Sequence, residues 1–167
     1  MPPAPRRPVD PVEEAAQQWN ARGWNGGDRL RAALSITRVE ELIREQATQV
    51  LGPLGLTYAR HELLALLYFT QHGELPMGKI SQRLMIHPKS VTTTVDGLER
   101  LGLVERVPHP TDRRGMLARI TAKGRRLVEE STPQLVERRF ALGALTQAEA
   151  RMLTELLRKV RRDRGDF

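Results

Sequence analysis

The stretch HPKSVTTTVDGLERLGLVERVPHPTDRRGMLARIT occupies residues 87–121 and constrains the architecture more than any other part of the chain. Pro88 suits the first position of a helix, where its missing N–H costs nothing. From there Val91, Val95 and Leu98 recur at i, i+4 and i+7 and make one buried stripe. Gly102 fits the residue just past a helix end, so the spacing predicts a helix from Pro88 to Leu101. Leu103–Val107 then reads as a strand. His109-Pro110-Thr111-Asp112 has turn chemistry, and Met116–Thr121 alternates as a returning strand.

Just upstream, Ile80 and Leu84 form one face of a brief helix, and Met85-Ile86-His87 supplies a three-residue turn. Two short helices on a tight turn followed by a hairpin describe a winged helix–turn–helix. With Val91, Val95 and Leu98 inward, the second helix presents Lys89, Ser90, Thr92 and Thr93. Hydroxyls and a lysine suit phosphates and base edges, and a threonine methyl can meet a thymine methyl. The hairpin tip carries Arg113 and Arg114. Arginines on a narrow hairpin suit the minor groove, where negative potential concentrates. Asp112 beside them fits a positioning role, holding a guanidinium in a fixed orientation.

Working outward, Met1–Val9 is rich in proline and arginine and is expected to be a flexible tail. Asp10-Pro11-Val12-Glu13 reads as a capping box that opens a short helix to Arg22, stopped by Gly23. Trp19 and Trp24 are expected to anchor this appendage on the main body. Asp28 can cap a long helix with apolar positions from Leu30 to Leu51, ended by Gly52-Pro53. Thr57 can cap the next, whose apolar face is Leu63, Leu64, Leu66, Leu67 and Tyr68, with His72-Gly73 at its end. Leu75-Pro76-Met77 reads as short and extended. Thr121 opens a helix from Ala122 whose apolar positions reach Phe140, kinked or interrupted at Pro133. The capping box Thr146–Glu149 opens a last helix with Leu153, Leu156, Leu157 and Val160 on one face. The chain is therefore expected to be mainly α. Residues 1–27 form a tail with an accessory helix, and 28–167 form one domain. Within that domain the winged helix–turn–helix covers about 57–121, and dimerisation helices cover about 28–51 and 122–163.

Composition narrows the function classes. The 167 residues include 27 Lys/Arg and 20 Asp/Glu, a formal charge of +7. Lys79–Arg126 alone holds eleven basic and four acidic residues, while the rest of the chain carries sixteen of each. The excess thus coincides with the winged lobe, which points to a polyanion partner. Without cysteine, disulfides, thiolate metal sites and thiol redox sensing are excluded. His61, His72, His87 and His109 have no metal-ligand spacing, and no phosphate loop or nucleophile elbow occurs. No metal, cofactor or enzymatic activity is expected. No apolar run is long enough to span a membrane, and Met1–Pro11 lacks the apolar core of a secretory signal. A cytoplasmic, nucleoid-associated location is expected.

Ser90-Val91-Thr92, Val95-Asp96, Leu98-Glu99, Gly102-Leu103-Val104, Arg106, Pro110–Arg114, Ile120-Thr121 and Gly124 together resemble the MarR family of bacterial transcription regulators. The Asp-x-Arg wing signature falls on Asp112 and Arg114, and the following Thr-x-x-Gly on Thr121 and Gly124. The resemblance implies a homodimer in which the first and last two helices intertwine. Each winged lobe would read half of a palindromic operator, with Arg114 in the minor groove oriented by Asp112. Asp96 matches a position that pairs with that wing arginine. Gly97 departs from the family, where arginine is common and offers a phosphate contact. Ile120 replaces a commoner leucine.

The resemblance also implies a crevice for a small aromatic or phenolic ligand whose binding releases DNA. Arg38, Tyr58, His61 and Glu62 are the candidate ligand residues, together with Arg60 and walls from Ile36 and Leu63. The N-terminal helix occurs in urate-responsive branches, which use an arginine on the recognition helix. Thr94 stands in that place, so urate is not assigned. The expected function is a sequence-specific, homodimeric repressor of double-stranded DNA. The alternative is an architectural nucleic-acid-binding protein without sequence choice.

Overall fold

A computed structural model describes residues 9–112 and 115–167. Its chain order is α1 (Pro11–Ala21), α2 (Gly27–Leu51), α3 (Tyr58–Tyr68), β1 (Glu74–Pro76), α4 (Met77–Leu84), α5 (Pro88–Arg100), β2 (Val104–Pro108), β3 (Met116–Ile120), α6 (Ala122–Glu137) and α7 (Gln147–Asp163). The fold is mainly helical with one small antiparallel sheet, as expected. Contacts divide it into a first unit ending at Arg44 and a second beginning at Glu45.

In the first unit Asp10 caps α1 by accepting from the Val12 N–H at 2.9 Å. The expected capping box does not close. Glu13 turns instead to Arg31, whose Nε and Nη2 each donate to it at 2.9 Å, while Arg31 Nη1 reaches Asp28 at 2.8 Å. A paired guanidinium is a stronger partner for a carboxylate than one backbone N–H, and it holds Glu13 below the usual carboxylate range. Asp28 lies in the first turn of α2, not at its cap. Trp19 and Trp24 pack edge to face at 4.8 Å, with Trp19 Nε1 donating to the Asn25 carbonyl. Trp24 stays 53% exposed.

The second unit holds the winged lobe. Leu51, Leu63, Leu64, Leu67, Ile80, Val91, Val95, Leu98, Val104 and Val128 are buried in one core. The stripe Val91–Val95–Leu98 meets α3 and α4, and each such side chain contributes about 1.5–3 kcal/mol by leaving water. The sheet order is β1-β3-β2. Arg119 on the central strand faces Glu74 on β1 and Glu105 on β2 in register, and it pairs with both carboxylates.

The Thr-x-x-Gly spacing acquires a physical reason here. Thr121 accepts from the Gly124 N–H at 3.1 Å and donates its hydroxyl to the Gly102 carbonyl at 2.8 Å. This pulls the start of α6 onto the backbone of Leu103, where a Cβ on residue 124 would overlap the Leu103 carbonyl oxygen.

Three further expectations change. α3 ends at Tyr68, short of His72-Gly73, with Phe69 as its cap. Pro133 does not interrupt α6, which continues to Glu137. Near the proline, side chains bond the helix carbonyls: Ser131 Oγ donates to Leu127 and Gln134 Nε2 to Glu130. Phe140 is not helical. Arg139, Phe140 and Ala141 take left-handed φ of 49°, 51° and 61°, a turn held by the Ala141 N–H donating to Gln46 Oε1 at 2.6 Å.

Candidate nucleic-acid interface

Helix α5 is built to expose its N-terminal half. The His87 Nδ1 accepts from the Lys89 N–H at 3.1 Å, so a histidine caps it ahead of Pro88. Lys89, Ser90, Thr92 and Thr93 are all exposed, Thr94 is half-buried, and Val91 and Val95 point inward. The two threonine hydroxyls among them are already engaged. Thr92 donates to the Pro88 carbonyl at 3.2 Å and Thr93 to the Lys89 carbonyl at 3.1 Å. Such back-bonding commits the hydroxyl proton to the preceding turn. What remains for a base edge is a methyl group and an oxygen lone pair, a surface that suits thymine methyls and base amino donors.

The wing is the β2–β3 hairpin. Its loop closes through the His109 N–H on the Gly115 carbonyl at 3.0 Å and the Gly115 N–H on the Asp112 carbonyl at 2.9 Å. The His109 ring sits inside, with Nδ1 accepting from the Thr111 and Asp112 N–H groups at 3.3 and 3.1 Å. Two strands and an internal ring thus organise the loop around its tip. Arg113 and Arg114 lie outside the described residues.

A second feature joins the wing to the reading helix. Arg106 on β2 donates through Nη2 to Asp96 at 2.5 Å and through Nη1 to Glu99, and its backbone N–H reaches the same Glu99 carboxylate at 3.0 Å. The Asp96 contact, followed by Glu99, raises the Arg106 guanidinium above its ordinary range. One arginine therefore pairs with two carboxylates on α5 and offsets half of the negative charge that would repel a polyanion.

Similarity to known proteins bears directly on this geometry. A model of the MarR family matches residues 54–115. Sco5413, a MarR family transcriptional regulator from Streptomyces coelicolor, is 45% identical. Its match covers 85% of this chain and 99% of that one, with a TM-score of 0.78. The chain belongs to the MarR family. The HTH-type transcriptional regulator MhqR of Bacillus subtilis is 30% identical over 132 residues, 78% of this chain and 90% of the relative. A mutant of MarR from E. coli, solved with operator DNA, is 27% identical, covers 77% of this chain and 91% of that one, and superposes with a TM-score of 0.69.

On this MarR-family lobe, Asp96 pairs with Arg106 of strand β2; the wing-tip arginine that the resemblance assigns to it lies outside the described residues. From the sequence alone Arg106, His87 and His109 have no assigned capping or pairing role. A histidine just before Pro88 was the one readable signal among them. Replacing Arg106 with alanine is expected to cost about 1 kcal/mol of stability, modest because both carboxylates are partly exposed. It should weaken duplex binding by leaving two negative charges on α5, and Asp96→Asn in the same chain should recover part of the loss. Urea unfolding and duplex titration of the single and double variants check this.

Of the ligand candidates, Arg38 is exposed on α2 in the first unit, and Tyr58, His61 and Glu62 lie in the first two turns of α3 in the second. A cavity of about 240 Å³ in the second unit is lined by Gln46, Gln49, Val50, Pro53, Gln134, Glu137 and Arg138, and by none of those three. His61 is only 7% exposed, and among the described residues its Nε2 has no hydrogen-bond partner.

Burial holds the His61 imidazole below its ordinary value of 6.5. The unfolded chain takes up a proton near that value while the folded chain stays neutral. This group therefore costs no stability above about pH 6.5 and lowers stability as the pH falls toward the folded value, by about 1.4 kcal/mol per unit. Denaturant unfolding at pH 7.5 and 5.5 should show a smaller acid loss in His61→Gln than in the parent. Among the described residues no group of three or more metal-ligating side chains could hold a metal ion, and no helix is long and apolar enough to cross a membrane.

Proposed function

We propose that the protein is a homodimeric repressor that reads a palindromic operator, one winged lobe per half-site. The observation that carries this is the exposed row on α5, Lys89, Ser90, Thr92 and Thr93, set beside a hairpin whose tip sequence holds Arg113 and Arg114. A reading helix and a wing on one lobe match the division between major-groove readout and groove-flanking contacts.

Helix α7 supports the dimer. None of its residues is buried, and Met152, Leu156 and Val160 form an exposed apolar row. Such a row on an amphipathic helix fits a second copy of the chain. Tyr58, His61 and Glu62, with Arg38, remain the residues assigned to a small aromatic or phenolic effector that releases DNA. Asp112 remains the residue assigned to orient Arg114.

Selection from a random duplex pool tests the reading. A palindrome should emerge, bound at least about 10³-fold more tightly than random duplex. Equal affinity for both would favour an architectural protein without sequence choice.

A further inference from the structure

Gly97 is the tenth of the thirteen residues of the reading helix and is buried there. Glycine is the least favoured residue after proline in a helix interior, so its presence calls for a reason. The space it leaves is filled by Arg60, from the first turn of α3. A Cβ at residue 97 would lie 2.8 Å from Arg60 Nη2, 3.1 Å from Nε and 3.2 Å from Cζ. These near-equal distances mean that the guanidinium lies across the glycine and does not touch it with one tip alone.

Arg60 is half-buried. Arg106 and Arg119 of the same lobe are tied to carboxylates, whereas among the described residues the Arg60 guanidinium has neither an acidic partner nor a hydrogen bond. It is a cation with five unused donors, held against the helix.

Its position on that helix indicates the anion it meets. Lys89, Thr93 and Gly97 stand at i, i+4 and i+8, in one row along α5. The Arg60 guanidinium occupies the place of the missing third side chain. Eight residues of helix span about 12 Å, comparable to the width of the major groove. With the N-terminal end of α5 on base edges, the other end of the row reaches the rim of the groove, where the phosphates lie. A guanidinium pairs with phosphate oxygens in bidentate fashion.

We propose that Arg60 is a DNA-backbone contact delivered to the reading helix from α3, and that residue 97 is glycine to admit it. This rests on the operator-binding reading above. Phosphate contacts position a protein on the duplex without reading sequence, so Arg60 sets affinity and register while Thr92 and Thr93 set base choice.

The test compares wild type, Arg60→Gln and Arg60→Gln/Gly97→Arg. Each is titrated with the selected palindrome and with random duplex across a range of salt concentrations. Arg60→Gln should weaken both duplexes by a similar factor, about 10-fold, and flatten the slope of log affinity against log salt by about 0.9 for each phosphate no longer neutralised. Gly97→Arg should restore the slope by returning the charge to the same place from the other helix. An unchanged slope in Arg60→Gln overturns the proposal. If affinity falls without a change in slope, Arg60 acts by packing or through a carboxylate ligand, which also overturns it. If wild type itself shows no preference for the palindrome, the failure lies with the operator-binding reading. A thermal unfolding midpoint for each variant confirms that folded proteins are being compared.

Discussion

Met152→Glu combined with Leu156→Glu is expected to convert the proposed dimer into a monomer and to lower affinity for a full palindrome by about 10²–10⁴-fold. Met152 and Leu156 are 66% and 54% exposed, so charging them removes nothing from the core of the winged lobe. Their row on α7 has no cover within the chain's own second unit, where no α7 residue is buried. Two glutamates there would have to be desolvated to re-form an apolar interface. Losing the second lobe removes the effective concentration that links two half-site contacts. Light scattering gives the mass, and anisotropy with a labelled duplex gives the affinity. Unchanged helical content by circular dichroism would confirm an intact lobe. A variant that remains dimeric would place the interface elsewhere.

Arg114→Ala should weaken operator binding by about 1–3 kcal/mol, or roughly 5- to 150-fold, and reduce the salt slope by about one unit. The described part of the wing explains why so much rests on its tip. His109 and Gly115 close the loop across the strand ends, and the His109 ring accepts two backbone N–H groups inside it. The described flanks of the tip, His109–Asp112 and Gly115, are therefore held by their own hydrogen bonds and lose little entropy on binding. Arginine in a narrow minor groove responds to groove width as well as to charge. Arg114→Lys should accordingly keep most of the salt slope and still lose affinity on A·T-rich flanks. Equal affinities for wild type and Arg114→Ala at matched salt would exclude the minor-groove role.

The winged lobe was readable because its signals are local. Pro88, the stripe Val91–Val95–Leu98 and Gly102 define α5 within fifteen residues, and Thr121 with Gly124 opens α6 by one side-chain bond. Strand β1 was less readable. Glu74-Leu75-Pro76 is extended in the sequence, but its role depends on pairing with Arg119, Ala118 and Leu117 far along the chain.

The misread positions share one cause, a local rule overruled by a distant partner. Glu13 leaves its capping box for Arg31. Gly97 looked like the removal of a phosphate-binding side chain, and the structure sets the Arg60 guanidinium in its place. The turn at Arg139–Ala141 has no glycine to announce it, and the Gln46 side chain that holds it comes from α2.

The central claim is that two winged lobes of one dimer read two halves of a palindrome on the same face of DNA. The most direct measurement places the selected half-sites at their native spacing, about one helical turn or 10–10.5 bp between centres, and then inserts 5 bp between them. The insertion turns one half-site to the opposite face of the duplex. The account predicts that affinity falls at least 10²-fold, to that of a single half-site. Affinity unchanged by the insertion would contradict it.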